Sequence, residues 1–337
     1  MSRLCLLALT VLALGACGRP TSPPAPLLTP QSVSADADGA TLTDRPPPNG
    51  TWWSEGVRWW NEGVRWWNEG AVQPAPGNRQ ALQLIRLDEA RALAPHAGAG
   101  VVIAVIDTGA DASHPLLQGA LLPGRDFVDG DHDTSEGQEA SGVAYGHGTA
   151  VAGVIRQVAP RASILPLRVL GPDGSGRAAQ VAQAIRYATD AGAQIINLSV
   201  AAPVPNEGVR AALQAAASRG VLIVAACGND GSDTPLSPAR SLDGHNRLGQ
   251  LGVSVTAVDA AGQLPGWSTR GGEVQAPGVG LETAYPGGRQ VSASGSSFAA
   301  PVVSGVLALA LAEGQEARTL AARLQGGTLL DVPTLFR

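Results

Sequence analysis

Across residues 81–337 the chain alternates between two hydrophobic patterns. Runs rich in β-branched and aliphatic residues occupy 101–106, 164–170, 195–200, 221–226 and 253–258. Such runs predict strands buried on both faces. Between them, apolar positions at helical spacing predict helices over 87–93, from 147 through 160, over 178–191 and over 206–219. Strands alternating with helices predict a mostly parallel sheet covered on both sides, a three-layer α/β fold. One more stretch is apolar nearly all round, 302–312, and reads as a helix in the middle of the globule. Gly295-Ser296-Ser297 opens it, and Pro301 falls early enough to be tolerated at the loss of one hydrogen bond.

The first eighty residues do not share this pattern. Residues 1–16 read as a signal peptide, with Arg3 followed by an apolar core over 4–14 that is too short to span a membrane. The core ends in Leu14-Gly15-Ala16-Cys17, which resembles a bacterial lipobox and marks Cys17 for lipidation. The other reading is an ordinary secretory signal with a chance cysteine. Residues 18–50, rich in Pro, Ser and Thr, read as a disordered spacer. A seven-residue repeat fills 51–72 and holds six of the seven tryptophans. Trp53, Val57, Trp60, Val64, Trp67 and Ala71 recur at 4-3-4-3-4, a helical stripe. Arg58–Glu62 and Arg65–Glu69 fall at i,i+4 on such a helix, whereas the glycine in each repeat opposes it by ~1 kcal/mol. Two readings stay open: a segment lying on lipid or docked on the globule, or a linker enlarged by duplication. Residues 73–80 form a further Pro/Gly linker.

Composition narrows the function classes. The 337 residues include no lysine, carry a net charge of −5 and show no basic run, which excludes a nucleic-acid surface. Cys5 leaves with the signal. If Cys17 is lipidated, Cys227 has no partner, and no disulfide holds the exported protein together.

The chemistry gathers where predicted strands end. The first runs into Asp107-Thr108-Gly109, and the fourth into Cys227-Gly228-Asn229-Asp230. Carboxyl ends of strands are where open α/β sheets place ligands. His147 is the one histidine of five set between glycines at a helix start, in Gly146-His147-Gly148-Thr149. A serine at the N-terminus of a buried helix can attack a carbonyl while its own N–H meets the oxyanion. Taken singly, each has an ordinary structural reading: an Asx turn, a core histidine, a turn asparagine, a helix cap. Taken together, Asp-Thr-Gly, Gly-His-Gly-Thr and Gly-Ser-Ser-Phe-Ala-Ala-Pro, in that order, resemble the subtilisin-like serine protease family.

That resemblance covers 82–330 and implies a role for each position. Ser297 is the nucleophile, His147 its base and Asp107 the group that orients the imidazole. Asn229 and the Ser297 N–H form the oxyanion hole. Phe298 stands where the family usually has Met. The segments Ser199-Val200-Ala201 and Gly174-Ser175-Gly176 match the two edges that hold an extended peptide by main-chain hydrogen bonds. Ala201 and Ala202 replace the family's paired glycines, so a narrower pocket with a preference for smaller side chains is expected. The family's high-affinity calcium site is expected to be absent. His114-Pro115-Leu116-Leu117 lacks the usual Asp, and the helix after His147 lacks the calcium loop. Asp126, Asp129, Asp131 and Asp133 read as a solvated acidic loop in preference to a weak calcium site. Residues 233–251 read as a surface loop. The implied protein is a monomeric serine endopeptidase acting on polypeptides, without organic cofactor, tethered to a membrane through its N-terminal lipid. Cys227 is a buried filler. The competing reading is a catalytically silent peptide- or envelope-binding protein on a protease scaffold.

Overall fold

A computed structural model describes residues 41–43, 58–60, 67–68, 71–137, 144–242 and 250–337. The signal peptide, Cys17 and most of the spacer and Trp repeat lie outside the described residues. Four short strands come first: β1 (Thr41–Thr43), β2 (Arg58–Trp60), β3 (Trp67–Asn68) and β4 (Ala71–Val72). The body then supplies β5 (Val102–Asp107), β6 (Arg125–Asp126), β7 (Ser163–Arg168), β8 (Ser175–Arg177), β9 (Ile195–Leu198) and β10 (Leu222–Ala226). It continues with β11 (Gly252–Val258), β12 (Val274–Pro277), β13 (Leu281–Tyr285), β14 (Arg289–Ala293) and β15 (Thr328–Leu329).

Eight of these strands form one sheet in the order β15-β12-β11-β10-β9-β5-β7-β6, and every pairing within it is parallel. The five predicted runs are its central strands. From β5 the chain builds outward on one side through β7 and β6, then crosses over to place β9 on the other. The carboxyl end of β5 is therefore a topological switch point, where a crevice opens.

Helices Ala178–Asp190 and Glu207–Ser218 lie together, and helices His147–Val158 and Ser296–Ala312 pack against each other. Ser296–Ala312 is buried from Ser296 through Ala310 and lies on β9, β10, β11 and β12, as its lack of a polar face requires. Its approach to the other buried helix is close. A Cβ on Gly305 would lie 2.7 Å from the Val158 Cβ.

Three N-terminal segments depart from expectation. Within the Trp repeat, β2 is a strand that pairs antiparallel with β14, matching Trp59 to Val291, and β3 pairs with β4. Tryptophan and valine favour strands, the repeat glycines penalise a helix, and the open edge of the β13–β14 hairpin supplies a partner. The 73–80 segment, expected as a linker, is pinned to the body. Asn78 Nδ2 donates to Gln157 Oε1 at 2.9 Å and to the Glu282 carbonyl at 2.8 Å, and Asn78 Oδ1 accepts the Glu282 N–H at 2.7 Å. Within the expected spacer, β1 pairs antiparallel with β8, placing Leu42 opposite Gly176.

Candidate active site

Asp107 is the last residue of β5 and is fully buried. Its Oδ1 accepts the Thr108 N–H at 2.8 Å and lies 2.6 Å from His147 Nδ1. His147 opens its helix behind Gly146, which adopts φ 85° at the N-cap. The helix start is pressed against the Asp-Thr-Gly turn: a Cβ on Gly148 would lie 2.1 Å from the Gly109 carbonyl oxygen. Glycine at 148 is thus what lets the imidazole reach the carboxylate. The Gly148 N–H also donates to Thr108 Oγ1 at 2.9 Å.

The two serines at the third element are told apart by their contacts. Ser296 Oγ accepts the Gly228 N–H at 3.0 Å and donates to the Gly228 carbonyl at 3.1 Å, and Ser296 is wholly buried. It fastens the turn. Ser297 is 5 % exposed, and its Oγ makes a longer 3.2 Å contact to the Ser199 carbonyl. A chain of hydrogen bonds fixes its backbone. Ser304 Oγ donates to Asn197 Oδ1 at 2.8 Å, Asn197 Nδ2 to Ser199 Oγ at 3.0 Å, and Ser199 Oγ to the Ser297 carbonyl at 2.8 Å. This network ties the helix to β9. Sequence reading missed Asn197 and Ser304, which look like polar interruptions of apolar runs. The ring of Phe298, the residue after Ser297, lies 5.4 Å from the His147 ring between centroids. It therefore braces the imidazole rather than only filling space.

Asn229 Oδ1 accepts the Ser296 N–H at 2.7 Å. That bond orients the amide and leaves its N–H₂ as the group able to donate elsewhere. Cys227 is buried, and burial pushes its thiol up to about 12, which leaves it protonated and inert.

Of the two expected peptide-holding edges, Ser199–Ala201 follows directly after β9. Val200 is buried and Ala201 is 7 % exposed. Ala202 is committed elsewhere, exchanging backbone hydrogen bonds with Ser237 at 2.7 and 2.9 Å. On the other edge, Gly174 sits in a turn at φ 79°, and Ser175 and Gly176 lie in β8, which carries β1.

In the acidic loop Arg168 Nη1 bonds both Asp126 and, at 2.6 Å, Asp129. Asp131 and Asp133 line the same cavity. A guanidinium already sits between two of the four carboxylates. Among the described residues no three His, Cys, Asp or Glu side chains converge to hold a metal ion. His114 caps a short turn: its Nδ1 accepts the Leu116 N–H at 3.1 Å, and Leu116 is fully buried. Helix His147–Val158 is continuous.

Fold and layout together define the class, a serine-type peptidase built on a parallel α/β sheet. The family model of the Subtilase family (Peptidase_S8) matches residues 98–324, and the chain belongs to that family. It is 36 % identical over 240 residues to thermitase of Thermoactinomyces vulgaris, covering 68 % of this chain and 81 % of thermitase. It is also 36 % identical over 223 residues to subtilisin Savinase of Lederbergia lenta, covering 63 % and 76 %. Among solved structures, a cold-adapted subtilisin-like serine proteinase superposes with a TM-score of 0.60 at 30 % identity, over 69 % of this chain and 89 % of that one. The protein is a serine-type endopeptidase.

Proposed function

We propose that Ser297, His147 and Asp107 are the catalytic triad and that Asn229 donates to the oxyanion. The observation that carries this reading is the buried 2.6 Å contact between His147 Nδ1 and Asp107 Oδ1. A carboxylate acceptor there holds the Nδ1 proton, leaving Nε2 to take the proton of the Ser297 hydroxyl as its oxygen attacks the peptide carbonyl. The imidazolium that forms faces the Asp107 charge in a site sealed from water. The developing oxyanion meets the Ser297 N–H and the Asn229 amide. His147 then hands its proton to the leaving amine, an acyl-enzyme remains on Ser297, and water repeats the sequence to release the second product.

Substrates are extended polypeptides held between Ser199-Val200-Ala201 and Gly174-Ser175-Gly176. The methyls of Ala201 and Ala202 narrow the pocket beside the scissile bond, so smaller side chains are favoured there. The enzyme uses no organic cofactor, lacks the family's high-affinity calcium site, acts as a monomer and is exported, tethered through lipidated Cys17. No described helix is long and apolar enough to cross a membrane.

The test is labelling by a fluorophosphonate with peptide mapping, alongside hydrolysis by wild type and Ser297→Ala. A covalent adduct on Ser297 and complete loss of turnover in the variant are expected. Absence of both labelling and hydrolysis in the wild type would favour a silent binding scaffold. A peptide-library profile dominated by Phe, Tyr or Leu before the cleaved bond would overturn the pocket reading.

A further inference from the structure

The mechanism leaves the half-buried carboxyl group of Glu136 unused. Glu136 lies in the loop before the catalytic histidine. Its Oε1 accepts the Thr149 N–H at 2.8 Å and the Thr149 hydroxyl at 2.7 Å. Its Oε2 is shielded from solvent, and the carboxyl also interacts with the Thr108 side chain. Thr108 and Thr149 are not arbitrary neighbours. Thr108 directly follows Asp107, and Thr149 comes two residues after His147.

These residues belong to two segments stitched together by short bonds. Thr108 Oγ1 accepts the Gly148 N–H at 2.9 Å, Thr149 Oγ1 accepts the Asp111 N–H at 2.9 Å, and His147 meets Asp107 at 2.6 Å. The Thr149 hydroxyl can accept from Asp111 only while its own proton points elsewhere, and it points at Glu136. The Thr149 N–H is also one of the first N–H groups of its helix, which have no partner within the helix. The N-cap is Gly146, which has no side chain to offer. Glu136 reaches in from another part of the chain and serves as that cap. Burial pushes the Glu136 carboxyl up, and the nearby Asp107 charge adds to that in the same direction.

We propose that Glu136 is a positioning residue of the catalytic pair, clamping the Asp-Thr-Gly turn to the start of the His147 helix and so setting how the imidazole meets Asp107. It touches no substrate and acts only through Thr149 and Thr108. This inference rests on the triad assigned above.

The test compares Glu136→Ala, Glu136→Gln and Thr149→Val in the full chain. Misplacing a catalytic group by about 1 Å costs up to ~10²-fold, so Glu136→Ala should lose about 10- to 100-fold in kcat with KM for a peptide substrate little changed. Glu136→Gln keeps an acceptor at Oε1 and should stay within about threefold of wild type on the same scale. Thr149→Val should reproduce the loss, and the double variant should be no worse than either single one, because both break one link. In a Ser297→Ala background, proton NMR reads the imidazole N–H between His147 and Asp107. That far-downfield signal should persist in Glu136→Gln and weaken or vanish in Glu136→Ala. If Glu136→Ala does not fold, Thr149→Val carries both measurements. Wild-type kcat in Glu136→Ala or Thr149→Val, or an unaltered N–H signal, overturns the inference. A wild type that neither hydrolyses peptides nor takes the fluorophosphonate overturns the protease reading instead, while the NMR comparison still reports on the clamp.

Discussion

Asn229 carries two tasks that a pair of substitutions can separate. Its Oδ1 accepts the Ser296 N–H at 2.7 Å at the start of a helix whose own N-cap, Gly295, makes no side-chain bond. Its N–H₂ is the donor assigned to the oxyanion. Asn229→Asp keeps an oxygen for the Ser296 N–H and adds negative charge at a helix N-terminus, favourable by about 0.3–1 kcal/mol. It deletes the donor and puts an anion where the oxyanion must form. Asn229→Ala deletes both contacts. Losing an oxyanion donor costs ~10²–10³ in kcat, about 2.7–4 kcal/mol, so both variants should fall at least that far. Losing the cap costs about 0.5–2 kcal/mol and applies to the alanine variant alone. At about 2–4 °C per kcal/mol for a domain of this size, Asn229→Ala should melt several degrees below wild type and Asn229→Asp should not. Steady-state kcat and KM on a chromogenic peptide, with calorimetry on the same samples, give both readings. The reasoning is refuted if Asn229→Asp keeps kcat within about tenfold of wild type, or if the two variants lose the same stability.

Other expectations follow from single contacts. Because burial holds the Cys227 thiol up to about 12, iodoacetamide at pH 8 should neither modify the native protein nor reduce its activity. Rapid alkylation of folded enzyme would contradict this. Burial likewise pushes the His114 pKa down, against the opposing bond to the Arg289 carbonyl and the nearby Asp111 charge. The unfolded chain binds this proton near pH ~6.5 and the folded chain only at lower pH, so stability should drop as pH falls below about 6.5. His114→Asn should flatten that part of the melting-temperature profile, and an unchanged slope would count against it. With Arg168 already bonded to Asp126 and Asp129, a chelator should leave the melting temperature unchanged, and a fall of many degrees would show a calcium ion that matters. Since β1 lies on β8, deleting residues 38–50 should lower KM for peptides bound along that edge. Equal KM values would show that the two do not compete.

Much of this architecture is legible in the chain before any coordinates. The five apolar runs became central strands to within about two residues, because a strand buried on both faces is mostly apolar along its length and needs few polar positions. Helix Ser296–Ala312 was legible for the same reason. Strands β12 to β15 were not. They are two to five residues long, and their pairing partners, more than their composition, make them strands. The Trp repeat misled in the other direction: its 4-3-4-3-4 spacing suits a helix, yet β2 pairs with the edge of β14, a surface that exists only after folding.

For the site, the chain alone marked the residues to which the chemistry is assigned, since Asp-Thr-Gly, Gly-His-Gly-Thr and Gly-Ser-Ser each join a reactive side chain to the small residues that close approach demands. Tertiary structure alone decided that Ser296 is held by Gly228, how Asn197 and Ser304 anchor the helix, and that Glu136 reaches Thr149. Those outcomes depend on distances between segments far apart in sequence. Local pattern encodes which face of an element is buried, but not what meets it there.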